Sequence, residues 1–268
     1  MTNPGWSPAG VDPDRATAAR VYDALLGGTH NFAVDRDVAR ALEAINPHVR
    51  ELARANRAFL GRAVRFLIDT GIRQFVDIGS GIPTAGNVHE VAQRLAPDAR
   101  VVYVDNDPVA IGHGKAILAG NDQAAAIQAD LRQPEEILRH PDLRGLLDLT
   151  QPVAILLVAI LHFVPDDDDP AGIVARLRDT VAPGSYLTLC HGTNDDRPVQ
   201  SAAMTKLYDR VSASAWPRHR AEILRLFDGF ELIEPGLVYI PQWRPDSPDD
   251  LPEHPENYMA LVGVGRKL

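Results

Sequence analysis

The chain has 268 residues, 45% hydrophobic and 24% charged, and its formal net charge of −9 speaks against a nucleic-acid partner, which needs a basic face. A single cysteine, Cys190, excludes an intrachain disulfide and suits a reducing compartment. The longest apolar run, Val153 to Leu161, is too short to span a bilayer, and the Pro- and Gly-rich start lacks the apolar core of a signal peptide, so no membrane contact and a cytoplasmic location are expected.

Residues 1–13 read as a loosely docked or disordered tail, with Pro4, Pro8 and Pro13 each opposing helix. A helix is expected from about Arg15 to Leu26, with Ala18, Tyr22 and Leu25 on one face, stopped by Gly27 and Gly28. After the loop Thr29 to Phe32, a short helix starts near Asp35 and ends at Pro47. A longer one follows from about His48 to Thr70, with Gly71 as its stop. Its apolar stripe runs through Val49, Leu52, Ala53, Asn56, Phe59 and Val64. The other face carries Arg50, Arg54, Arg57, Arg62 and Arg65, for which a solvated face is the ordinary reading and a site for an anionic substrate the sharper one.

From Arg73 strands and helices alternate. Strands are expected at Arg73–Ile78, Arg100–Asp105, Ala124–Gln128, Val153–Val158 and Ser185–Cys190. Helices are expected at Ala85–Ala96, Pro108–Leu118 and from Asp169-Pro170 to about Val181, with an irregular stretch before Val153. Continuous apolar strands between amphipathic helices indicate a parallel sheet covered on both faces. The last third reads as helices over Asp195–Ser212 and Pro217–Phe227, strands over Phe230–Glu234 and Leu237–Ile240, and a final strand over Tyr258–Val264. The expected organisation is an N-terminal tail and helical cap over 1–70 and an α/β domain over 71–268, together one structural unit.

Val76-Asp77-Ile78-Gly79-Ser80-Gly81-Ile82-Pro83 is the stretch that carries the chemistry. A strand, a Gly-x-Gly turn and a helix N-terminus let a ligand approach backbone N–H groups. A dinucleotide fingerprint needs a third glycine at 84, and the chain has Thr84 there. Asp77 could accept from a ligand ammonium, Asp105 from both ribose hydroxyls, and Asp130 from an adenine amino group. All three close adjacent parallel strands, where open α/β sheets bind ligands. The plain alternatives are a helix cap for Asp77 and ordinary loop chemistry for Asp130. An ammonium, a ribose and an adenine with no phosphate clamp describe S-adenosylmethionine.

At these residues the chain resembles the Rossmann-like class I methyltransferases. VDIGSGIP stands as the first motif, VVYVDNDP as the second, QADL as the third, VAILLVAILHFVPD after the fourth strand and PGSYLTLCHGT at the fifth. More narrowly, ARVYDALLGGTHNFAVDRD (Ala19–Asp37) and FDGFELIEPGLVYIPQWRPD (Phe227–Asp246) are similar to a mostly actinobacterial family of S-adenosylmethionine-dependent methyltransferases first catalogued as a domain of unknown function. The resemblance implies a mostly parallel central sheet with helices on both faces plus an N-terminal helical extension. It implies that Gly79, Ser80 and Gly81 line the methionine portion and that Asp105 binds the ribose, with Asn106 beside it and Asp107 as a second ribose candidate. It places Asp130 and Leu131 at the adenine, and Tyr22, Gly28, Asn31 and Phe32 in a segment folded over the cofactor. Pro83 stands where many members have glycine.

His162 follows the fourth strand and is the candidate general base, with packing as the plain alternative. His191, Thr193 and His30 are weaker candidates, and Trp6, Trp216 and Trp243 could line a pocket. The run Asp166–Asp169 reads as an exposed loop at a helix start, so no metal is expected. An amino methyltransferase of bases would carry an Asn/Asp-Pro-Pro-aromatic stretch where Ala159-Ile160-Leu161-His162 stands. A cytosine-C5 enzyme would need a Pro-Cys nucleophile, and the only cysteine closes the fifth strand. The expectation is a methyltransferase for a small-molecule acceptor. A non-catalytic sensor of S-adenosylmethionine or its demethylated product, and an NAD-dependent oxidoreductase, are the alternatives.

Overall fold

A computed structural model describes residues 12–83, 86–209, 211 and 213–268. The expectations for residues 1–11 of the tail, Trp6 among them, for Thr84 and Ala85, and for Ser212 fall outside them. The parallel strands β1 (Gln74–Ile78), β2 (Arg100–Asp105), β3 (Ala124–Gln128), β4 (Ala154–Val158) and β5 (Tyr186–Gly192) lie in the order β3-β2-β1-β4-β5. β8 (Ala260–Lys267) runs antiparallel beside β5, and β6 (Phe230–Leu232) and β7 (Val238–Tyr239) both pair with β8.

Period-two alternation divides the buried side chains between two faces. Phe75, Tyr103, Leu156 and Val262 pack on one side, and Val76, Val104, Leu157 and Leu261 on the other. Each fully buried side chain of this size contributes roughly 1.5–3 kcal/mol. The first face is covered by α3 (Val49–Asp69), α4 (Val88–Leu95) and α5 (Pro108–Ile117). The second is covered by α6 (Pro134–Arg139), α7 (Pro141–Leu146), α8 (Pro170–Thr180) and α10 (Arg220–Arg225). Asp77 shares the face of Phe75, which points it at the α3 side.

α1 (Ala18–Leu26) and α2 (Ala33–Ile45) form a second core with the start of α3 and with α9 (Pro198–Tyr208). Thr17 caps α1, and Gly27 ends it at φ 82°. Arg20 and Asp35 pair at 2.9 Å with 2% and 0% exposure, and Asp35 also accepts from the amides of Thr17 and Phe32. This buried ion pair fixes α1 against α2. Residue 70 therefore separates no cores: the second half of α3 packs on the sheet, while α9 closes the cap from the far end of the chain.

Several elements differ from the sequence reading. α4 begins at Val88 because Asn87 and Glu90 make a capping box there. The irregular stretch before β4 holds α6 and α7, each six residues long with Pro in its first turn and too short to show a period. β5 runs on through His191 and Gly192 because its register against β8 extends from Tyr186↔Arg266 to Gly192↔Ala260. The arginine row is not a solvated face. Arg62 donates to the carbonyls of Trp243 and Ile240, Arg50 to those of Ala24 and Leu25, and Arg65 to Asp246; Arg54 alone of the row is fully exposed.

Candidate functional site

The carboxyl ends of β1, β2, β3, β4 and β5 open on a cavity of about 920 Å³, roofed by α1, α3 and α9. That is at the upper end of the ~300–1,000 Å³ typical of small-molecule sites. Its wall includes Asp77, Gly79, Ser80, Gly81, Asp105, Asn106, Asp107, Asp130, Leu131, Tyr22 and His162. Gly28, Asn31 and Phe32 are not among its lining residues. Their loop closes on Asp23, whose carboxylate accepts from Asn31 Nδ2 at 2.7 Å and from the His30 amide at 2.9 Å. A Cβ on Gly28 would stand 2.0 Å from Asp23 Oδ1, so glycine is there for packing.

The glycine turn is built differently from a phosphate cradle. Gly79 (φ 73°) and Gly81 (φ 65°) adopt left-handed backbone, and a Cβ on Gly79 would collide with Ile160 at 2.4 Å. The amides of Gly79 and Ser80 donate to Val104 O, and the amide of Gly81 donates to Asp105 Oδ2 at 2.8 Å. At the N-terminus of α4 the Glu90 carboxylate accepts from the amides of Gly86 and Asn87. A pyrophosphate would find these N–H groups occupied and a carboxylate in its place.

Asp105 is 9% exposed, and its two oxygens accept from the amides of Gly81 and Asp107 at 2.8 and 2.9 Å. Each oxygen keeps a lone pair, so the carboxylate can take two vicinal hydroxyls. Burial raises its pKa despite those bonds. Asp107 is committed within the protein: Oδ1 caps α5 through the Val109 amide, and Oδ2 accepts from Thr17 Oγ at 3.3 Å. Asp130 is gripped by Arg132, whose guanidinium and amide hold its carboxyl below the usual range. Burial pushes Asp77 up to about 7, against the pull of Arg57 from α3. The set is compatible with S-adenosylmethionine: Asp77 can accept from an ammonium, Arg57 on the same wall can pair with a carboxylate, and Asp105 offers two acceptor oxygens.

His162 sits in a 3-10 turn after β4. Its Nδ1 accepts from the Gly192 amide at 3.3 Å, so Nε2 carries the ring proton and the neutral imidazole is a donor. Burial lowers its pKa to about 4, with Arg218 adding to the effect. A ring with one nitrogen occupied and the other protonated is not arranged as a general base. His191 is fully buried; its Nδ1 lies 2.8 Å from Gly192 O and its Nε2 2.9 Å from Arg218 Nη1. Thr193 and Trp216 line the cavity. Trp243 is fully buried against Phe59 and Phe66, and His30 packs on His113. Asp169 caps α8, and among the described residues no cluster of three His, Cys, Asp or Glu could hold a metal ion.

Arg218 was not singled out from the sequence, yet it organises this wall. Buried to 6% exposure, it donates to Leu161 O, Val164 O, Asp166 and His191, tying the turn that carries His162 to the end of β5. Arg218→Met should cost about 3–5 kcal/mol in urea unfolding, because three buried acceptors lose their donor at roughly 1–3 kcal/mol each. A loss below about 1 kcal/mol would remove this role.

Asn56 was also missed, though a lone amide in an apolar stripe was the signal. It is 4% exposed on the cavity wall; Nδ2 donates to Tyr22 Oη at 2.9 Å, and Oδ1 has no partner.

The S-adenosyl methyltransferase family model matches residues 4–268. A crystal structure of a candidate methyltransferase from Thermobifida fusca YX shares 45% identity over 98% of this chain and 99% of its own, with a TM-score of 0.92. A DUF574 family protein from Streptomyces avermitilis MA-4680 shares 40% over 96% and 99%, also at 0.92. Human N-acetylserotonin methyltransferase in complex with SAM shares 15% over 94% of this chain and 60% of its own at 0.51, a likeness of fold alone. No curated protein matches the chain at a significant level. No helix among the described residues is long and apolar enough to cross a membrane.

Proposed function

The chain belongs to the S-adenosyl methyltransferase family, and from that premise we propose that the cavity holds S-adenosylmethionine against β1, β2 and β3 and a small-molecule acceptor against β4, β5 and α9. The observation that carries this reading is Asp105: a buried carboxylate at the end of β2, fixed by two backbone amides, with one lone pair free on each oxygen.

Asp77 takes the amino group of the methionine portion and Arg57 its carboxylate. Gly79, Ser80 and Gly81 form the turn beneath them. Asp105 takes the ribose hydroxyls, with Asn106 at its rim. Leu131 flanks the adenine, and Asp130 accepts from its amino group while bound to Arg132. Asp107 acts one step back, holding Thr17 and the start of α5 in place. Tyr22 hangs over the cofactor from the cap, so residues 1–70 and 71–268 act as one unit. When bound, the cofactor supplies a methyl group activated by a sulfonium. The protein's part is to hold donor and acceptor in line and to exclude water, a term worth as much as roughly 7–11 kcal/mol in well-oriented systems.

Thermal shift separates this reading from its rivals. S-adenosylmethionine at 100 times its Kd should stabilise the chain by about 2.7 kcal/mol, and NAD should not. A shift with NAD alone would sink the proposal. Tight cofactor binding, with no methyl transferred to any component of a cell extract, would favour the sensor.

A further inference from the structure

On that reading, we infer that the acceptor is a flat, uncharged aromatic amine, methylated on nitrogen without a protein base. The part of the cavity beyond the cofactor residues is made by β4, β5, α9 and the segment before α10. From Val158 to Ala260 its described wall carries no Asp, Glu, Lys or Arg. Phe163, Met204, Tyr208, Trp216 and Met259 are among its apolar lining residues. Arg218, behind it, has its donors committed to Leu161, Val164, Asp166 and His191. Among the described residues of this wall a carboxylate or phosphate on the acceptor would find no counter-charge, and its desolvation would cost several kcal/mol.

The attacking atom follows from the proton inventory. His162 offers an N–H and no free lone pair on its ring nitrogens. Cys190 is buried and Tyr208 half-buried, and desolvation pushes both up to about 12, so neither takes a proton near neutrality. Tyr22 is likewise pushed up to about 12 and already donates to Ala53 O. A phenol would have to surrender its proton before attack, and nothing in this wall receives it. An aromatic amine is neutral in ordinary solution and attacks with its lone pair. The nitrogen forms the new N–C bond as the S–C bond breaks with its electron pair left on sulfur. The positive charge thus passes from sulfur to nitrogen, no charge is created in the uncharged wall, and the N–H proton leaves to water afterwards.

Asn56 completes the fit. Its Nδ2 is held by Tyr22, so the partnerless Oδ1 can only accept, and it suits the N–H of an amine.

The test uses the full chain and three probes of one shape: 2-aminonaphthalene, 2-naphthol and 2-naphthoate. Binding is read by calorimetry with S-adenosylmethionine present, and transfer with a labelled methyl group. The amine should bind and become N-methylated, naphthol should bind without turnover at pH 7, and naphthoate should not bind. Asn56→Leu should weaken amine binding about tenfold, the loss of one hydrogen bond, and leave cofactor affinity unchanged. Naphthoate binding as tight as the amine, faster methylation of naphthol, or no amine binding to the cofactor-loaded chain would each overturn the inference. So would an Asn56→Leu variant that loses cofactor affinity instead. If the unaltered chain fails to bind S-adenosylmethionine, the function proposed above fails first, and this inference with it.

Discussion

Asp105→Ala should leave a folded chain that binds S-adenosylmethionine about 10²- to 10⁴-fold more weakly. The carboxylate provides two hydrogen bonds to hydroxyls, and bonds to a charged acceptor contribute roughly 1.5–3 kcal/mol each. The loss does not stop there. The amides of Gly81 and Asp107 are both fixed by this side chain, so the glycine turn and the cap of α5 would loosen together. Calorimetric titration measures the effect, and thermal unfolding of the same sample checks that the fold survives. Asp105→Asn, which keeps one acceptor oxygen, should fall between the two. Undiminished micromolar affinity in the alanine variant would refute the ribose assignment.

The affinity for S-adenosylmethionine should also depend on pH through Asp77. Burial raises this carboxyl to about 7, with Arg57 lowering it and Asp105 raising it further. Only the ionised form pairs with the ligand ammonium, so below pH 7 binding must first expel a proton. Affinity should then fall about tenfold per pH unit, to about 100-fold weaker at pH 5 than on the plateau above 7. Asp77→Asn should flatten this slope, and an unaltered slope in that variant would reassign the titrating group. Stability moves the opposite way. A folded pKa above the unfolded value means that Asp77's contribution is fully present below about pH 3.8 and is lost as pH rises through about 7. Asp77→Asn should therefore stabilise the ligand-free chain above pH 7. His162 and His191 titrate with the other sign: both are depressed in the fold, so their contribution is lost as pH falls below about 6.5. Both chains carry these histidines, so the ratio of the two affinities isolates Asp77.

The rivals separate on the same site. The occupied amides of the glycine turn and the Glu90 carboxylate at α4 disfavour a pyrophosphate, which is a stronger argument against NAD than the missing third glycine. The lack of a general base favours the sensor alternative, and the committed ring of His162 adds to it. For a neutral nitrogen acceptor, however, no base is required, so the same observation is compatible with catalysis.

Local sequence determined the sheet and the acids at its edge. The five parallel strands are short apolar runs bounded by turn residues, and β2 and β3 fall at the expected positions. Asp77, Asp105 and Asp130 were legible because each lies at or just past the carboxyl end of a short apolar strand, and the three strands are adjacent in the sheet. The tertiary structure alone decided the rest, because the deciding contacts are remote in sequence. The loop of Gly28 and Asn31 closes on Asp23, a contact that no local pattern announces. Arg57 reads as one of a solvated row until α3 packs on the sheet and turns that residue toward Asp77. Arg218 is an ordinary loop arginine until it meets two carbonyls more than fifty residues away. The tautomer of His162 rests on a single amide from β5. A sequence states which chemistry is available; the pairing of groups brought together from distant segments decides which nitrogen, carboxylate or amide is left free to use it.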